Sequence, residues 1–158
     1  MAKSLFGSKF YVCATEQNAD LNQAGFEALV WVEVGDVGKM GEMGTSQNLP
    51  SYSTMATRVT QKSKGEADAG NPTIECARAY ADAGQVIMRT IADPTDLNAY
   101  AFKWELNDGS STLTNTIRYS RGLCTGPTHP MGGNEDFDID IFTLGLVQRE
   151  IEVNPTAI

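Results

Sequence analysis

About eight short strand-like segments and one helical pattern constrain the fold of this 158-residue chain more than any other sequence feature. The segments "FEALVWVEV" (Phe26–Val34) and "AYAFKWELND" (Ala99–Asp108) alternate in the way that pleated strands do. The helical pattern covers residues 82–92, with Asp82 as its N-cap and Asp93-Pro94 as its stop. Since one helix cannot cover a parallel sheet, we predict a mainly β fold of two packed antiparallel sheets, a sandwich or barrel with one flanking α-helix.

The remaining predicted strands are short and lie on both sides of this helix. No composition change suggests a boundary, so residues 1–158 are predicted to form one domain, with an N-terminal arm at 1–8 and a C-terminal tail at 154–158. The other strand segments are Lys9–Ala14, Tyr52–Lys62, Thr73–Arg78, Thr112–Leu123 and two strands around Gly145.

The stretch from residue 35 to residue 53 has neither a helical nor a strand period. Its glycines recur every third residue from Gly35 to Gly44, a spacing typical of extended or turn-rich backbone. Compact domains seldom carry long structureless loops unless the loop is functional. We therefore predict a long functional loop at 35–53.

Composition excludes several classes of protein. The net charge of −8 argues against wrapping nucleic acid, because phosphate binding needs a basic face. Three widely spaced cysteines, Cys13, Cys76 and Cys124, fit reduced thiols better than a disulfide framework. The sequence shows no signal peptide and no run of about 20 apolar residues, so we expect cytoplasmic synthesis and no membrane span.

Catalytic and phosphate-binding patterns find little support in the sequence. His129 is the only histidine and follows Cys124 by five residues, but a nucleophilic pair needs a third, orienting group. A histidine in a surface loop is the favoured interpretation. The glycines of residues 35–44 do not form a phosphate-binding motif. We predict that the chain is not an enzyme and needs no cofactor.

The row Asp136, Asp138 and Asp140 superficially resembles a metal site. A calcium loop beginning at Asp136 would need glycine and glutamate where Ile141 and Val147 stand. Alternation with apolar residues instead indicates one strand with a wet face and a core face, and we lean slightly toward the aspartates facing outward. Zinc is unsupported, because no Cys-x-x-Cys is present. No metal site is predicted.

Taken in order, the segments of this chain resemble the major tail tube proteins of bacteriophages with long, non-contractile tails. The resemblance spans about residues 9–153, and the order and spacing of its segments make it specific. It rests on "GFEALVWVEVGDVGKMGEMG", "YSTMATRVTQKSKG", "DAGNPTIECAR", "DAGQVIMRTIAD", "YAFKWELND" and "RGLCTGPTHPMGGNEDFDIDIFTLGLVQREIEV". The extra C-terminal immunoglobulin-like domain of some family members does not appear in this sequence.

The resemblance implies a structural virion protein of the phage tail. Six copies would form a ring, and stacked rings would form a hollow tube that encloses the tape-measure protein and later conducts DNA without binding it specifically. Further expected partners are the tail terminator and tail-tip proteins. An acidic wall suits this role, because it repels the DNA phosphates.

Two sets of residues are expected to serve this function. The loop would contact the next ring or the neighbouring subunit through Gly35, Gly38, Met40, Gly41, Gly44, Leu49, Pro50, Tyr52, Arg58, Lys62 and Lys64. Polar faces of strands 26–34, 52–62, 99–107 and 112–123 would line the lumen, and the candidates there are Glu27, Glu33, Lys103, Glu105, Thr114, Thr116 and Arg118.

Three alternatives remain at this stage. A β-sandwich binding module of a virion, either a decoration or a receptor-binding protein, would share the composition but would not polymerise. A type VI secretion-like tube protein would share the assembly. An enzyme using Cys124 and His129 is the least supported alternative.

Overall fold

Twelve strands and two helices form the part of the chain that the structure describes. The structure, a computed structural model, describes residues 2–158. The helices are α1 (Gln23–Glu27) and α2 (Ala83–Ile91). The strands are β1 (Lys9–Glu16), β2 (Val32–Val34), β3 (Val37–Met40), β4 (Ser46–Gln47), β5 (Ser51–Tyr52), β6 (Gln61–Lys62), β7 (Ala67–Asp68), β8 (Thr73–Ala77), β9 (Tyr100–Glu105), β10 (Ile117–Thr128), β11 (Ile139–Leu146) and β12 (Ile151–Val153). No helix within residues 2–158 is long and apolar enough to cross a bilayer.

One antiparallel sheet of eight strands dominates the fold. Its strand order is β2-β1-β9-β10-β11-β8-β3, and β12 pairs with the first part of β10. Strands β2 and β3 stand at opposite ends of this order, yet only Gly35 and Asp36 separate them in the chain. The sheet must therefore curl until its two ends are neighbours, as twisted sheets readily do. The predicted mainly β, sandwich-like fold is confirmed.

The main core lies inside this curl. Phe10, Phe102 and Trp104 reach it from β1 and β9, and Phe142 and Leu144 reach it from β11. Because both halves of the sheet contribute to one cluster, the two halves pack face to face as in a sandwich.

A smaller apolar cluster lies on the other face of β1, β9 and β10, under α1. Its centre is the stacked pair Phe26 and Tyr119, whose ring centroids are 5.3 Å apart.

Helix α2 holds the two ends of the sheet together. The Asp82 carboxylate caps the helix by accepting from the Gln85 amide, and it also accepts from the Gly35 amide, each at 3.0 Å. The fully buried Gln85 side chain donates to the carbonyls of Gly35 and Ala77 and accepts from the Ala79 amide, each at 2.9 Å. We call this set of hydrogen bonds the α2 clamp; it joins the turn between β2 and β3 to the end of β8.

A glycine lets helix α2 approach the sheet closely. A Cβ on Gly84 would lie 2.1 Å from the Glu33 carbonyl oxygen, which is far inside any permitted contact. Only glycine fits this position, so the helix backbone itself packs on β2.

The predicted strand at 26–34 is wrong over most of its length. Residues 23–27 form α1, which Asn22 caps by accepting from the Gly25 amide at 2.8 Å, and only residues 32–34 are strand. The Trp31 indole N–H donates to the Phe26 carbonyl at 3.0 Å and folds the connecting segment back. The burial of Phe26 against Tyr119 decides this local structure. The described residues therefore contain two helices, where one flanking helix was predicted.

The predictions for 35–53 and 52–62 also need correction. Residues 35–53 contain a tight turn, strand β3 and the first leg of a hairpin rather than one loop. Within 52–62 only the ends are strand, because β5 pairs with β6 and the residues between them form the hairpin turn. Non-local pairing, which a periodicity does not reveal, decides both segments.

The start of β11 faces the opposite way from the prediction. Asp136 and Asp138 are exposed as expected, but Asp140 is completely buried and lies in register with Cys76 of β8. Phe137, assigned to the core face by the alternation, is 80% exposed. The core face of β11 instead carries Asp140 together with Phe142, Leu144 and Leu146.

The segments predicted as an N-terminal arm and a C-terminal tail make hydrogen bonds with the rest of the protein. The predicted tail at 154–158 pairs with residues 112–114, since the Ile158 amide donates to the Thr112 carbonyl at 3.0 Å. The strand predicted at 112–123 consequently begins only at Ile117 and runs on to Thr128. At the N-terminus, Lys3 Nζ donates to the Asp108 carbonyl at 2.9 Å.

The α2 clamp predicts a large loss of stability when Gln85 is made apolar. Gln85→Leu fills a similar volume at this fully buried position but removes the hydrogen bonds to the backbone groups of Gly35, Ala77 and Ala79. We expect the free energy of unfolding to fall by about 2–4 kcal/mol, measured by urea unfolding followed by tryptophan fluorescence. The control Gln23→Leu, at an exposed position of α1, should change the free energy of unfolding by less than about 0.5 kcal/mol. Equal, small effects for both variants would contradict the clamp.

Candidate functional site

A long β-hairpin projects from the sheet between β3 and β8, over residues 41–72. We call it the arm. Two short ladders hold its legs together, one between β4 and β7 and one between β5 and β6. Between the ladders, the Gly65 amide donates to the Asn48 carbonyl at 2.7 Å, and the Ser63 amide donates to the Pro50 carbonyl at 3.0 Å.

The outer part of the arm has no core of its own. Every residue from Thr45 to Lys64 is exposed. Large apolar side chains in this part, namely Leu49, Tyr52, Met55 and Val59, contribute to that exposed surface. An isolated two-stranded hairpin is marginally stable in water, so this segment lacks the contacts that would hold it in one conformation.

The outer part of the arm is also basic in an acidic protein. Residues 49–64 contain Arg58, Lys62 and Lys64 and no acidic residue, whereas the whole chain carries −8. Ion pairs in residues 2–158 involve none of these three cations. The arm therefore presents apolar and positive groups together.

In contrast, the root of the arm is fixed to the body of the protein. The Gly41 amide donates to the Thr73 carbonyl at 2.6 Å, and Met40 and Met43 pack against the main core. The residues predicted for the stacking loop thus divide between two places. Gly35 lies in the β2–β3 turn, and Gly38, Met40, Gly41 and Gly44 lie in β3 or at the root; Leu49, Pro50, Tyr52, Arg58, Lys62 and Lys64 lie on the outer arm.

Sequence reasoning missed that the arm has two legs. The exposed apolar residues Met55 and Val59, near its turn, were not singled out. A sequence signal was present, since the apolar residues of 41–72 do not recur at a helical or strand period.

Buried Asp140 organises the loop between β10 and β11. One of its carboxylate oxygens lies 2.8 Å from His129 Nδ1 and 3.8 Å from an Arg78 nitrogen, and the other lies 3.4 Å from Arg89. Ligand atoms of His129, Asp138 and Asp140 lie within 4.8 Å of one another, as in a metal site. The two guanidinium groups already balance the Asp140 charge and would repel a cation, so the cluster holds the loop by ion pairing.

The geometry gives no support to a nucleophilic pair of Cys124 and His129. The Cys124 thiol is buried in the main core, where burial raises its pKa to about 12. Such a thiol stays protonated at neutral pH and is a poor nucleophile. His129 meanwhile contacts Asp140 rather than the thiol.

The lumen candidates predicted from sequence lie in three different places. Glu33, Lys103 and Glu105 share the face of β2, β1 and β9 that carries α1, where Lys103 Nζ lies 4.6 Å from the centroid of the Tyr11 ring. Glu27 is exposed on α1. The rest surround the start of β10: Arg118 pairs with Glu152, Thr114 contacts the C-terminal residues, and buried Thr116 donates to Asp108.

A second polar sheet face lies on the outside of β3, β8, β11 and β10. Thr73, at the start of β8, stands side by side with Thr143 and Thr125, in register on three strands. No helix covers this face, because α2 packs against β1, β2 and β10 from the core side and α1 lies against the other half of the sheet. We call it the threonine face.

Comparison with known proteins links this architecture to tubes. No family model and no curated protein matches the sequence. Solved structures do match the fold. A chain of the PVC sheath/tube terminator of an extracellular contractile injection system superposes with a TM-score of 0.69 over 98% of each chain, at 11% identity.

Two further structures agree. A chain of the PVC sheath-tube complex superposes with a TM-score of 0.63 over 98% of this chain and 91% of that one, at 12% identity. A chain of the SPP1 tail tube gives a TM-score of 0.62 over 94% of this chain and 78% of that one, at 10% identity. The resemblance to tail tube proteins is confirmed at the level of the fold: the protein has the fold of the tube and terminator subunits of phage tails and contractile injection systems.

Proposed function

We propose that this protein is a structural subunit that polymerises, as stacked six-membered rings, into the tube of a phage tail. The observation that carries the proposal is the outer part of the arm, which projects from a fold shared with tube proteins and in which every residue from Thr45 to Lys64 is exposed. An apolar, basic hairpin of this size needs a second copy or another protein to cover it.

The stability of the arm suits controlled assembly. Its root is fixed by the sheet and the core, whereas the hydrogen bonds of its outer 20 residues are made to other residues of the arm. Ordering these residues on a neighbour costs conformational entropy, which opposes polymerisation at low concentration and is offset only when a complementary surface is present. A growing tube end provides that surface.

The partners of such a tube follow from the proposed role. The lumen would enclose a tape-measure protein during assembly and conduct DNA afterwards, without specific binding. Terminator and tail-tip proteins would close the two ends, and the protein would reside in the tail of the virion. The net charge of −8 supports a conduit, because an acidic tube does not retain the phosphate backbone.

For the lumen wall we propose the threonine face. Its central residues are small and uncharged, and no helix obstructs it, so copies of this half-sheet can continue around a ring as one smooth surface. The set derived from the sequence, with Glu33, Lys103 and Glu105, is the competing proposal. Those residues share their face with α1 and with half-buried Trp31.

A second candidate function is that of a terminator, which forms a single ring at the end of a tube. Terminator and cap structures match this fold as well as tube structures do, with TM-scores of 0.69 and 0.66. A terminator would form isolated rings, a tube subunit would form stacks of many rings, and a decoration or receptor-binding module would form neither. Negative-stain electron microscopy of the concentrated, purified protein distinguishes the three.

The first prediction concerns the arm. Replacing residues 49–64 with Asn-Gly joins the legs where Asn48 and Gly65 already lie side by side. Because only exposed residues are lost, the melting temperature should change by less than about 3 °C, while tubes should no longer form in the electron microscope. A control with Thr54→Ser and Thr57→Ser keeps the arm intact and should still assemble. Normal tubes from the shortened variant would disprove the role of the arm.

The second prediction concerns the wall. The native cysteines are all buried, so a single cysteine placed at Thr125 or at Glu33 can be labelled selectively. Both variants should react with a maleimide on a large polyethylene glycol before assembly. In tubes, the cysteine at position 125 should be protected and the cysteine at position 33 should stay reactive. The reverse pattern would assign the wall to the set derived from the sequence.

A further inference from the structure

The arm and the loop at 129–138 lie at opposite ends of strand β8. Strands β8 and β11 are antiparallel, with Thr73 opposite Thr143 and Ala77 opposite Ile139. The arm joins β8 at Thr73, whereas the loop joins β11 at Ile139, next to the far end of β8. A contact between the arm of one copy and the loop of another would therefore be head-to-tail, the kind of contact that builds stacks and not closed pairs.

The loop carries exposed apolar groups that have no cover. Met131 and Phe137 are 85% and 80% exposed. They line a cleft of about 210 Å³ together with His129 and Ile139, which is space for one apolar side chain. Tyr80, also exposed, lies beside this end of the molecule, because Arg89 contacts both the Tyr80 carbonyl and Asp140.

The charge of the loop is opposite to the charge of the arm. Glu135, Asp136 and Asp138 are exposed, and the only ion pair among them within residues 2–158 is that of Asp138 with Arg78. Two carboxylates are thus available to a partner. The outer arm, as described above, carries three cations and no anion.

The loop is also held in place, as a docking surface must be. The Arg78 amide donates to the Asp138 carbonyl at 2.9 Å, and His129 contacts buried Asp140 at 2.8 Å. Within the loop, the Gly133 amide donates to the Asp136 carboxylate at 2.7 Å. The 129–138 loop is therefore ordered before contact, and the outer arm is the segment that changes conformation on docking.

We propose that the outer arm of one copy docks on the 129–138 loop of a second copy, with Met55 or Val59 entering the cleft and Arg58 and Lys62 facing Glu135 and Asp136. This proposal rests on the proposed function and names the surface that receives the arm. Head-to-tail repetition of this contact would set a single stacking direction, because arm on arm and loop on loop both bring like charges together.

Reversing the charges of the arm and of the loop tests the contact between them. An arm variant, Arg58→Glu with Lys62→Glu, and a loop variant, Glu135→Lys with Asp136→Lys, should each need a concentration about tenfold higher or more for tube growth. An equimolar mixture of the two should assemble like the unaltered protein, because each arm then finds a loop of opposite charge. The control Glu16→Lys with Asp93→Lys, on exposed sites outside the arm, the loop and both proposed walls, should assemble normally.

A cross-link gives a readout that does not depend on charge. Met55→Cys and Phe137→Cys variants, mixed and oxidised, should form a disulfide-linked dimer that neither variant forms alone. If the unaltered protein builds tubes but the charge variants also build them and no cross-link appears, the contact is overturned and the tube function stands. If cross-linked pairs form but no tube or ring ever grows, the contact is supported and the proposed tube is overturned.

Discussion

The α2 clamp is the interaction on which the rest of the structure depends. Its hydrogen bonds run from Asp82 and Gln85 to the turn that connects the two ends of the sheet and to the end of β8. Gly35 leads directly into β3 and so to the root of the arm, while Ala77 pairs with Ile139, where the 129–138 loop ends. One set of hydrogen bonds around the buried Gln85 side chain therefore fixes the curl of the sheet and the positions of both proposed assembly surfaces.

A division between rigid and adaptable parts follows from this arrangement. The curled sheet, its aromatic core and the Asp140 cluster keep one end of the molecule ordered, whereas the outer arm makes few contacts with its own chain. In the proposed tube, the outer arm would gain order only on a complementary copy. The exposed apolar groups that are a liability in a lone protein would then supply association energy.

The parts of this fold that sequence could predict are those decided by local interactions. Helix α2 and its Asp82 cap were predictable because capping and an apolar stripe act within a few residues, and β8 and β9 follow a clear alternation. Long-range contacts decide the rest. Helix α1 depends on Phe26 meeting Tyr119, the burial of Asp140 depends on two arginines from other elements, and the arm depends on pairing between polar legs. The basic residues of the arm were found from sequence, but the acidic loop that we propose as their docking surface was recognised only from the three-dimensional arrangement.

Hydrogen–deuterium exchange of the arm amides tests the central claim most directly. The claim is that the outer arm is unsupported in the free subunit and becomes ordered on another copy. Amides of residues 45–64 should exchange rapidly in dilute, unassembled protein and should be protected in the assembled state, while the amides of β9 and β10 should be slow in both. Rapid exchange of the arm in assembled particles, equal to that in the monomer, would contradict the account.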